Sequence, residues 1–445
     1  MKEKSGFTSR LGFILAAAGS AVGLGNLWRF PYLAAKYGGG IFLLVYIILA
    51  VTFGFTLMIT EISIGRKTQK SCVDAYAKID KRFSFLGYIA SIVPIIIFPY
   101  YCVIGGWVTK FVAVFSTGNG AAAASDEYFP SFIGNASSPL IYLAIFISIT
   151  AVIIMLGVQN GIEKVSKVLM PLLAIMTVGI AIYSLTLPGA LDGLVYYVKP
   201  NFGAFSIKTV VAAMGQLFYS MSLAMGIMIT YGSYMNQKDD LERSVRQIEI
   251  FDTVIAFMAG VMIIPAVFAF SGGDPDKLQQ GPTLMFVMLP KVFDAMPGGQ
   301  FVAAVFFVLV FLAALTSAVS LMETILSVLQ DKFKIGRIAG SLLILVLAFL
   351  IAIPSSLGFG VWSHIQILGR DFLDFFDFIS NNILMPIVAF ITCIFIGFVV
   401  KPKTVEDEIL KSGKFKSKKL YNIMIKFVAP LFLLIIFISS VVGYV

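Results

Sequence analysis

Long apolar stretches separated by short polar connections run through the sequence almost from end to end. Each stretch has about the length that an α-helix needs to cross the hydrocarbon core of a membrane, roughly 20 residues. The pattern predicts eleven spans, near residues 11–36, 41–64, 85–115, 139–157, 164–186, 205–235, 244–271, 298–329, 338–356, 376–400 and 422–443. We therefore expect an all-α polytopic membrane protein in which residues 1–445 form a single transmembrane domain.

The first span has an unusually polar interior. From Gly19 to Pro31 it reads Gly-Ser-Ala-Val-Gly-Leu-Gly-Asn-Leu-Trp-Arg-Phe-Pro. Glycine and proline weaken helical hydrogen bonding, and backbone groups freed at membrane depth persist only where they line a cavity or are buried in protein. One interpretation is a glycine-rich packing face, with Arg29 extending toward the membrane surface. The other is a broken helix that offers backbone groups to a ligand.

The sixth span has a similar interruption. Residues 218–226 read Phe-Tyr-Ser-Met-Ser-Leu-Ala-Met-Gly, again rich in small and hydroxylated side chains. Five spans separate the two stretches, so corresponding halves would have opposite orientations in the membrane, as in transporters built from inverted repeats. We expect repeats over about residues 10–187 and 204–401, with an additional helix over about 421–445. The two stretches share no literal motif, so the pairing alone is only suggestive.

Composition excludes several classes of protein. The chain is 59% hydrophobic and 13% charged, with a mean hydropathy of +0.93, which no soluble domain of this size sustains. Cys72, Cys102 and Cys393 lack metal or redox spacing, and His364 is the single histidine. No Gly-x-x-x-x-Gly-Lys run for ATP binding occurs, and the first apolar stretch is too long for a cleaved signal peptide. We expect a membrane protein that is not an enzyme.

The positive charges behind the formal net charge of +9 are distributed in a way that indicates how the chain is oriented in the membrane. Lysines and arginines concentrate before the first span and in every second connection, including 66–82 and 401–419, whereas the opposite connections hold few cations. The positive-inside rule places the N-terminus in the cytoplasm and, after eleven spans, the C-terminus outside the cell membrane. The basic excess therefore does not indicate a nucleic-acid surface.

Several polar side chains fall at membrane depth, and their oxygens are hard ligands suited to an alkali or alkaline-earth cation. They are Asn26, Gln216, Ser220, Ser222, Asp252, Thr316, Ser317, Ser320 and Glu323. Thr316 and Ser317 could instead bond back to their own helix carbonyls. Asp252 needs a partner, and Arg246, nearly two turns away, is a weak candidate. Tyr100 and Tyr101 could be packed aromatics, and Gly161 and Pro171 either bound the fifth span or let its end unwind.

Taken together, the run from Arg10 to Pro31 and the triplet Gly38-Gly-Gly40 closely resemble the neurotransmitter:sodium symporter family, and the resemblance covers nearly the whole chain. With eleven spans, the chain is similar to the bacterial branch that carries hydrophobic amino acids. The resemblance implies a LeuT-type fold, with two inverted five-helix repeats and broken helices 1 and 6.

The family resemblance also implies two sodium sites, with no organic cofactor. The first would use the Ala21 carbonyl, Asn26, Ser220, Asp252 and the carboxylate of the substrate. The second would use the carbonyls of Gly19, Val22 and Ala313 and the hydroxyls of Thr316 and Ser317.

An amino acid substrate would bind beside these ions. Its carboxylate would meet the Leu24 and Gly25 amides and the Tyr101 hydroxyl. The surrounding pocket would comprise Ser20, Ala21, Ile97, Tyr101, Tyr219, Ser220, Ser222, Met225, Ser317, Ser320 and Leu321, with Tyr219 as an aromatic lid.

The same resemblance implies two gates and a mobile helix end. Arg29 and Asp377 match the outer gate. Lys4 and Asp331 match the inner gate, with Phe7 and Tyr234 beside them. The interval from Gly161 to Pro171 matches a motif linked to unwinding of the fifth span.

Several positions depart from relatives. Lys4 stands where arginine is frequent, which removes bidentate pairing, and Phe7 stands where tryptophan is common. Gly23 replaces the acid of monoamine carriers, which favours substrates that bring their own carboxylate. Met225 replaces a bulkier aromatic, and its flexibility would admit an aromatic substrate.

Chloride-dependent relatives bind the anion near the positions of Tyr46, Gln216, Ser220 and Ala256. The Asp252 carboxylate would balance the sodium charge here instead, so we expect transport to be independent of chloride. The predicted function is import of hydrophobic or aromatic L-amino acids with two sodium ions. A proton-coupled permease of the same fold and a sensor or channel remain as alternatives. The predicted partners are the amino acid, sodium and the lipid bilayer.

Overall fold

The structure is a computed structural model that describes residues 6–272 and 281–442, and these residues are organised almost entirely as helices. By length and apolar composition, nine continuous helices within the described residues can cross a membrane. The pair Arg10–Ala21 and Gly25–Lys36 adds a tenth span, bent by 53°. A second pair of helices, Ile207–Ser220 and Ile227–Tyr234, occupies the predicted sixth span. The expectation of an all-α membrane protein is confirmed.

We number the spans in chain order. Span 1 is the bent pair Arg10–Ala21 and Gly25–Lys36, and span 6 is the pair Ile207–Ser220 and Ile227–Tyr234. The continuous spans are Gly40–Thr68 (2), Lys81–Ser116 (3), Ser138–Met155 (4), Val158–Leu185 (5), Leu241–Ser271 (7), Gly299–Phe333 (8), Arg337–Leu357 (9), Phe372–Val399 (10) and Lys418–Ser440 (11). Short helices such as Cys72–Ile79, Tyr128–Gly134, Ala190–Val198 and Lys403–Leu410 lie in the connections.

The helix of span 1 is interrupted inside the glycine-rich stretch. Its first half ends at Ala21, because Val22 takes an extended conformation with ψ 103°. The chain resumes as a wide helical turn over Gly25–Arg29, and Pro31 lies in the first turn of the helix that follows, where its missing N–H costs little.

Span 6 is interrupted over residues 221–226. Ser222, Ala224 and Gly226 have φ values of 52°, 61° and 73°, which a right-handed helix cannot contain. Left-handed backbone is unfavourable for serine and alanine, so the surrounding contacts must hold this segment open. The break lies where the sequence places its cluster of small and hydroxylated residues.

Span 5 begins earlier than the pattern predicts. The structure starts it at Val158 instead of residue 164, with a wide helical turn over Val158–Glu163. Gly161 lies inside this turn, and a Cβ at its position would come within 2.0 Å of the Ile153 carbonyl oxygen of span 4. The stretch from Gly161 to Pro171, expected to be able to unwind, is helical in this structure.

Close backbone contact joins span 2 to the second half of span 6. A Cβ at Gly65 would lie 1.9 Å from the Ile229 carbonyl oxygen, and one at Gly232 would lie 2.4 Å from the Ile62 carbonyl oxygen. Small residues allow membrane helices to approach this closely. Because lipid tails are as apolar as the side chains, the hydrophobic effect does not drive these helices together, and dispersion forces over the close contact stabilise the pair instead.

The contact between spans 2 and 6 predicts a large stability difference between two glycine substitutions. Gly65→Ala forces these helices apart, so we expect its thermal unfolding midpoint in detergent to fall by several degrees. Gly179→Ala on span 5 is the matched control, because a Cβ there meets nothing within 4 Å. A Gly65→Ala protein as stable as the control would contradict the packing described here.

Candidate functional site

The two helix breaks face each other in the middle of the bundle. The Ser222 hydroxyl donates to the Ser20 carbonyl at 2.9 Å, and the Ser20 hydroxyl donates to the Ser222 oxygen at 3.1 Å. The Gln216 amide donates to the Gly25 carbonyl at 2.9 Å. These bonds join span 6 to carbonyls at the break of span 1, and the Gly25 carbonyl also accepts the Phe30 amide.

A buried carboxylate that the sequence analysis missed supports the break in span 6. Glu61 of span 2 accepts a hydrogen bond from the Ala224 amide at 2.7 Å, and its side chain is buried. An acid inside an apolar span is the signal that could have identified it. The contact explains how Ala224 can hold its left-handed conformation.

Asp252 of span 7 is the centre of a polar cluster. Its carboxylate accepts from the Asn26 amide at 2.8 Å, the Ser220 hydroxyl at 2.9 Å and the Tyr46 hydroxyl at 3.4 Å. The structure thus brings together three side chains proposed for the first sodium site, from spans 1, 6 and 7. Each of these hydrogen-bond partners is neutral, and Asp252 itself is fully buried.

The weak alternative partner of Asp252 is engaged elsewhere. The Arg246 guanidinium lies 3.0 Å from the Glu249 carboxylate and donates to the Ser417 hydroxyl at 3.0 Å. It also stacks on the Phe55 ring, with its central carbon 3.5 Å from the ring centre.

The residues proposed for the second sodium site also converge. The Ser317 hydroxyl of span 8 lies 3.5 Å from the Gly19 carbonyl in the first half of span 1 and 3.4 Å from the Val22 carbonyl at the break. The Thr316 hydroxyl donates to the Leu312 and Ala313 carbonyls of its own helix, both at 3.1 Å, as the back-bonding alternative expects. The Ser317 hydroxyl instead reaches across to span 1. A Cβ at Gly19 would come within 3.3 Å of the Thr316 Cβ, so the two spans touch here. The result is a cluster of neutral oxygen atoms between spans 1 and 8.

A cavity with about 390 Å³ of empty space lies between these two polar clusters. It is lined by Ser20, Ala21, Gly23, Leu24, Gly25, Ile97, Tyr101, Tyr219, Ser220, Ser222, Met225, Ile227, Ser317 and Leu321. The lining combines backbone of the span 1 break and hydroxyl side chains with apolar side chains such as Ile97, Met225 and Leu321.

The lining differs from the expected pocket at three positions. Gly23 and Ile227 join it, whereas Ser320 does not. The Ser320 hydroxyl lies 2.7 Å from the Tyr231 hydroxyl and donates to the Thr316 carbonyl, so it is directed into the packing between spans 6 and 8.

The Tyr101 hydroxyl stands out because it is buried without a hydrogen-bond partner in the described part of the chain. It lies in the cavity wall near Gly23, where an added Cβ would come within 3.2 Å of the Tyr101 oxygen and 2.7 Å of the Ser317 hydroxyl. A side chain at Gly23 would therefore fill the space in front of both hydroxyls. An unsatisfied buried hydroxyl is costly unless a ligand uses it.

One end of the cavity is covered by an aromatic ring and a cation. The Arg29 guanidinium carbon lies 5.4 Å from the centre of the Tyr219 ring, which itself lines the cavity. Asp377 accepts from the Tyr100 hydroxyl at 3.1 Å and from the Asn381 amide at 2.6 Å. Arg29 and Asp377 interact electrostatically here without a direct ion pair.

The other end is closed by residues near the start of the chain. Phe7 is buried against the Tyr231 and Tyr234 rings, at centroid distances of 5.8 and 6.3 Å, and its amide donates to the Tyr234 carbonyl. Asp331 accepts from the Ser71 amide at 2.7 Å. The proposed cation of this gate, Lys4, lies outside the described residues.

Two further acids reinforce this end. The Tyr234 hydroxyl donates to Glu323 at 2.8 Å, and Glu323 also pairs with Arg337, so Glu323 lies outside the cavity lining. Glu163, which the sequence analysis did not identify, accepts from the Thr8 amide at 2.7 Å and from the Ser9 hydroxyl at 2.9 Å. It thereby ties the N-terminal segment to the first turn of span 5.

Comparisons with known proteins agree with this architecture. The sequence profile described as the sodium:neurotransmitter symporter family matches residues 4–124 and 130–445. A protein named "uncharacterized sodium-dependent transporter" from Haemophilus influenzae is 35% identical, covering 99% of this chain and 98% of its own. A similarly named Bacillus subtilis protein is 33% identical, covering 98% and 97%.

Among solved structures, MhsT in complex with L-phenylalanine is similar to this chain. It superposes with a TM-score of 0.89 at 38% sequence identity, over 98% of this chain and 100% of MhsT. The similarity extends over both helix breaks and all spans, which confirms the LeuT-type fold. The chain belongs to the sodium:neurotransmitter symporter family.

Proposed function

We propose that this sodium-coupled membrane transporter imports hydrophobic or aromatic L-amino acids with two sodium ions per substrate, independently of chloride. The observation that carries the proposal is Asp252, a fully buried carboxylate whose hydrogen-bond partners are all neutral. A buried charge without a counter-charge is costly, and a bound sodium ion would compensate it.

The first sodium ion would bind between Asp252, Asn26 and Ser220, with the Ala21 carbonyl and the substrate carboxylate completing its oxygen ligands. The Asp252 carboxylate, beside Tyr46, would supply the negative charge that chloride provides elsewhere in the family. Because the ion and the substrate would share a ligand, each would raise the affinity of the other by the same factor.

The second ion would bind between spans 1 and 8. The cluster of Gly19, Val22 and Ala313 carbonyls with the Thr316 and Ser317 hydroxyls contains oxygen atoms alone, which suits an alkali cation. Its ligands would bridge two helices, so binding would hold spans 1 and 8 together. A proton-coupled permease of the same fold would not need this second set of sodium ligands.

The substrate proposal rests on the mixed polar and apolar lining of the cavity. The Leu24 and Gly25 amides at the break and the Tyr101 hydroxyl would hold the carboxylate. Ile97, Met225 and Leu321 would surround the side chain, and Met225 can adapt to an aromatic ring. MhsT, solved with L-phenylalanine, supports an amino acid of this class.

We place the gates at the two ends of the cavity. Arg29, Tyr219 and Asp377 would open toward the outside, and Phe7, Tyr234 and Asp331 with Lys4 would open toward the cytoplasm, where the positive-inside rule puts the N-terminus. Opening of the inner side would involve unwinding between Gly161 and Pro171. The protein would lie in the cell membrane.

The membrane potential alone would support strong accumulation. Two sodium ions moving inward with a zwitterion carry two charges, and ~100 mV contributes about 2.3 kcal/mol per charge, or ~4.6 kcal/mol in all. At ~1.4 kcal/mol per tenfold, this corresponds to roughly three decades of accumulation before any sodium gradient is added.

Uptake into proteoliposomes tests the proposal directly. With an inward sodium gradient, we expect radiolabelled phenylalanine, leucine or another hydrophobic amino acid to accumulate, and replacement of chloride by gluconate to leave the rate unchanged. Competition by the twenty amino acids identifies the preferred substrate. Accumulation driven by pH alone would support a proton-coupled permease. Binding without accumulation would support a sensor or channel. Loss of uptake in gluconate would refute chloride independence.

Removing the Tyr101 hydroxyl isolates the carboxylate anchor. We expect Tyr101→Phe to weaken substrate binding more than tenfold, measured by scintillation proximity with labelled substrate, because a charge-assisted hydrogen bond is lost. Tyr76→Phe is the matched control, since its buried hydroxyl bonds Thr392 away from the cavity. Equal affinity of the two variants would exclude Tyr101 as an anchor.

Removing the Thr316 hydroxyl isolates the second sodium site. We expect Thr316→Ala to abolish the sodium dependence of uptake, or to raise the half-activating sodium concentration more than tenfold, because one ion ligand is missing. Thr177→Ala on span 5 is the matched control, because it removes a buried hydroxyl that likewise bonds its own helix but is not among the proposed sodium ligands. If sodium activates the Thr316→Ala protein as it does the control, this site must be abandoned.

A further inference from the structure

A basic cleft lies at the start of span 7, far along the chain from the transport site. It is formed by Asp240, Glu242, Arg243 and Arg246 of span 7 and its cap, and by residues 413–417 of the connection before span 11. About 1,090 Å³ of empty space, open to solvent, lies between these two segments. Arg246 joins the segments, since its guanidinium donates to the Ser417 hydroxyl.

The two acids of the cleft are already engaged by backbone amides. Glu242 accepts from the Lys416 amide at 2.7 Å and from the Ser417 amide at 3.0 Å, and its side chain is buried. Asp240 caps span 7 by accepting from the Arg243 amide at 3.0 Å. These bonds shape the connection around the cleft and use the acceptor oxygens that would otherwise pair with its cations.

Three cations of the cleft remain available. Within the described residues, the side chains of Arg243, Lys414 and Lys416 are exposed and make no hydrogen bond or ion pair. Neighbouring lysines differ, because Lys411 pairs with Glu408 and Lys418 pairs with Glu406. The cleft therefore concentrates unpaired positive charge around one opening.

The cleft continues into an apolar surface. Ile250 lies seven residues after Arg243 on span 7, and Val254 lies four residues after Ile250. These spacings place the three side chains on the same helix face. Both are exposed, Ile250 by 59%. Phe427 of span 11 is 64% exposed, and Val51 of span 2, whose carbonyl accepts from Arg246, is exposed as well. Exposed apolar side chains on membrane spans face lipid tails.

We propose that this cleft binds the phosphate-bearing headgroup of an anionic glycerophospholipid. Arg243, Lys414 and Lys416 contact the phosphate, and the acyl chains lie along Ile250 and Val254. A soluble phosphate would use the same cations, but the continuous apolar surface favours a ligand with a hydrocarbon part. Basic pockets between membrane helices bind anionic lipid headgroups in this way. The lipid bridges span 7, which carries Asp252, and the connection to span 11.

Native mass spectrometry of the full chain, purified in a neutral detergent, tests this proposal. Wild-type protein is titrated with phosphatidylglycerol and with phosphatidylcholine, and we expect at least tenfold tighter binding of phosphatidylglycerol. The cleft variant R243Q/K414Q/K416Q is expected to lose this preference. The control K81Q/K164Q/K403Q removes the same charge from exposed lysines outside the cleft and is expected to keep it.

Three outcomes would overturn the proposal. They are equal binding of the two lipids to wild-type protein, an equal loss in the cleft and control variants, and displacement of phosphatidylglycerol by millimolar inorganic phosphate, which would indicate a soluble anion site. Thermal unfolding without added lipid checks that the cleft variant is folded. If it is not, K414Q/K416Q, which leaves span 7 unchanged, is titrated in its place with the same expected loss.

Discussion

The structure depends on a constraint of the membrane interior, where backbone groups freed from a helix must find partners without help from water. Spans 1 and 6 are both interrupted, and side chains of spans 6 and 2 supply hydrogen bonds at the two breaks. Ser222 and Gln216 donate to carbonyls of span 1, and Glu61 accepts the Ala224 amide of span 6. Residues of both breaks, including Gly23 and Ser222, line the cavity.

The second consequence concerns charge. Asp252 enters the interior on span 7 and meets only hydrogen-bond donors that are neutral, whereas other buried acids of the bundle have a cation or a backbone amide. Glu408 pairs with Arg66, both fully buried, and Glu323 pairs with Arg337. The contrast distinguishes acids that hold the fold together from the acid we assign to sodium. Burial without a counter-ion would make the proposed sodium site dependent on a bound cation.

The two ends of the cavity are closed by different kinds of contact, which would allow the proposed outer and inner gates to open separately. Toward Arg29 the closure is one ring, Tyr219, beneath a guanidinium with no direct carboxylate partner in the described structure. Toward Phe7 it is a packed set of aromatic rings, reinforced by the bonds of Glu163 to Thr8 and Ser9. Movement of the N-terminal segment would therefore disturb span 5 and the inner closure together.

The sequence by itself determined the class of fold and indicated candidate residues for the site. Apolar length requires spans, clusters of glycine and small polar residues marked the interruptions of spans 1 and 6, and the motif from Arg10 to Pro31 indicated the family. Asn26 and Asp252 were also recognisable, because an amide and an acid at membrane depth need a reason to be there. The division into two repeats remains a prediction.

Only the tertiary structure decided which of these residues meet. Asn26 and Asp252 are 226 positions apart, and their contact depends on how spans 1 and 7 cross. The roles of Glu61 and Glu163 follow from partners on other spans, and Ser320 is turned from the cavity toward Tyr231 by the rotation of span 8. Helical periodicity defines a face within one span, but the neighbour that covers that face is set by packing among all of them.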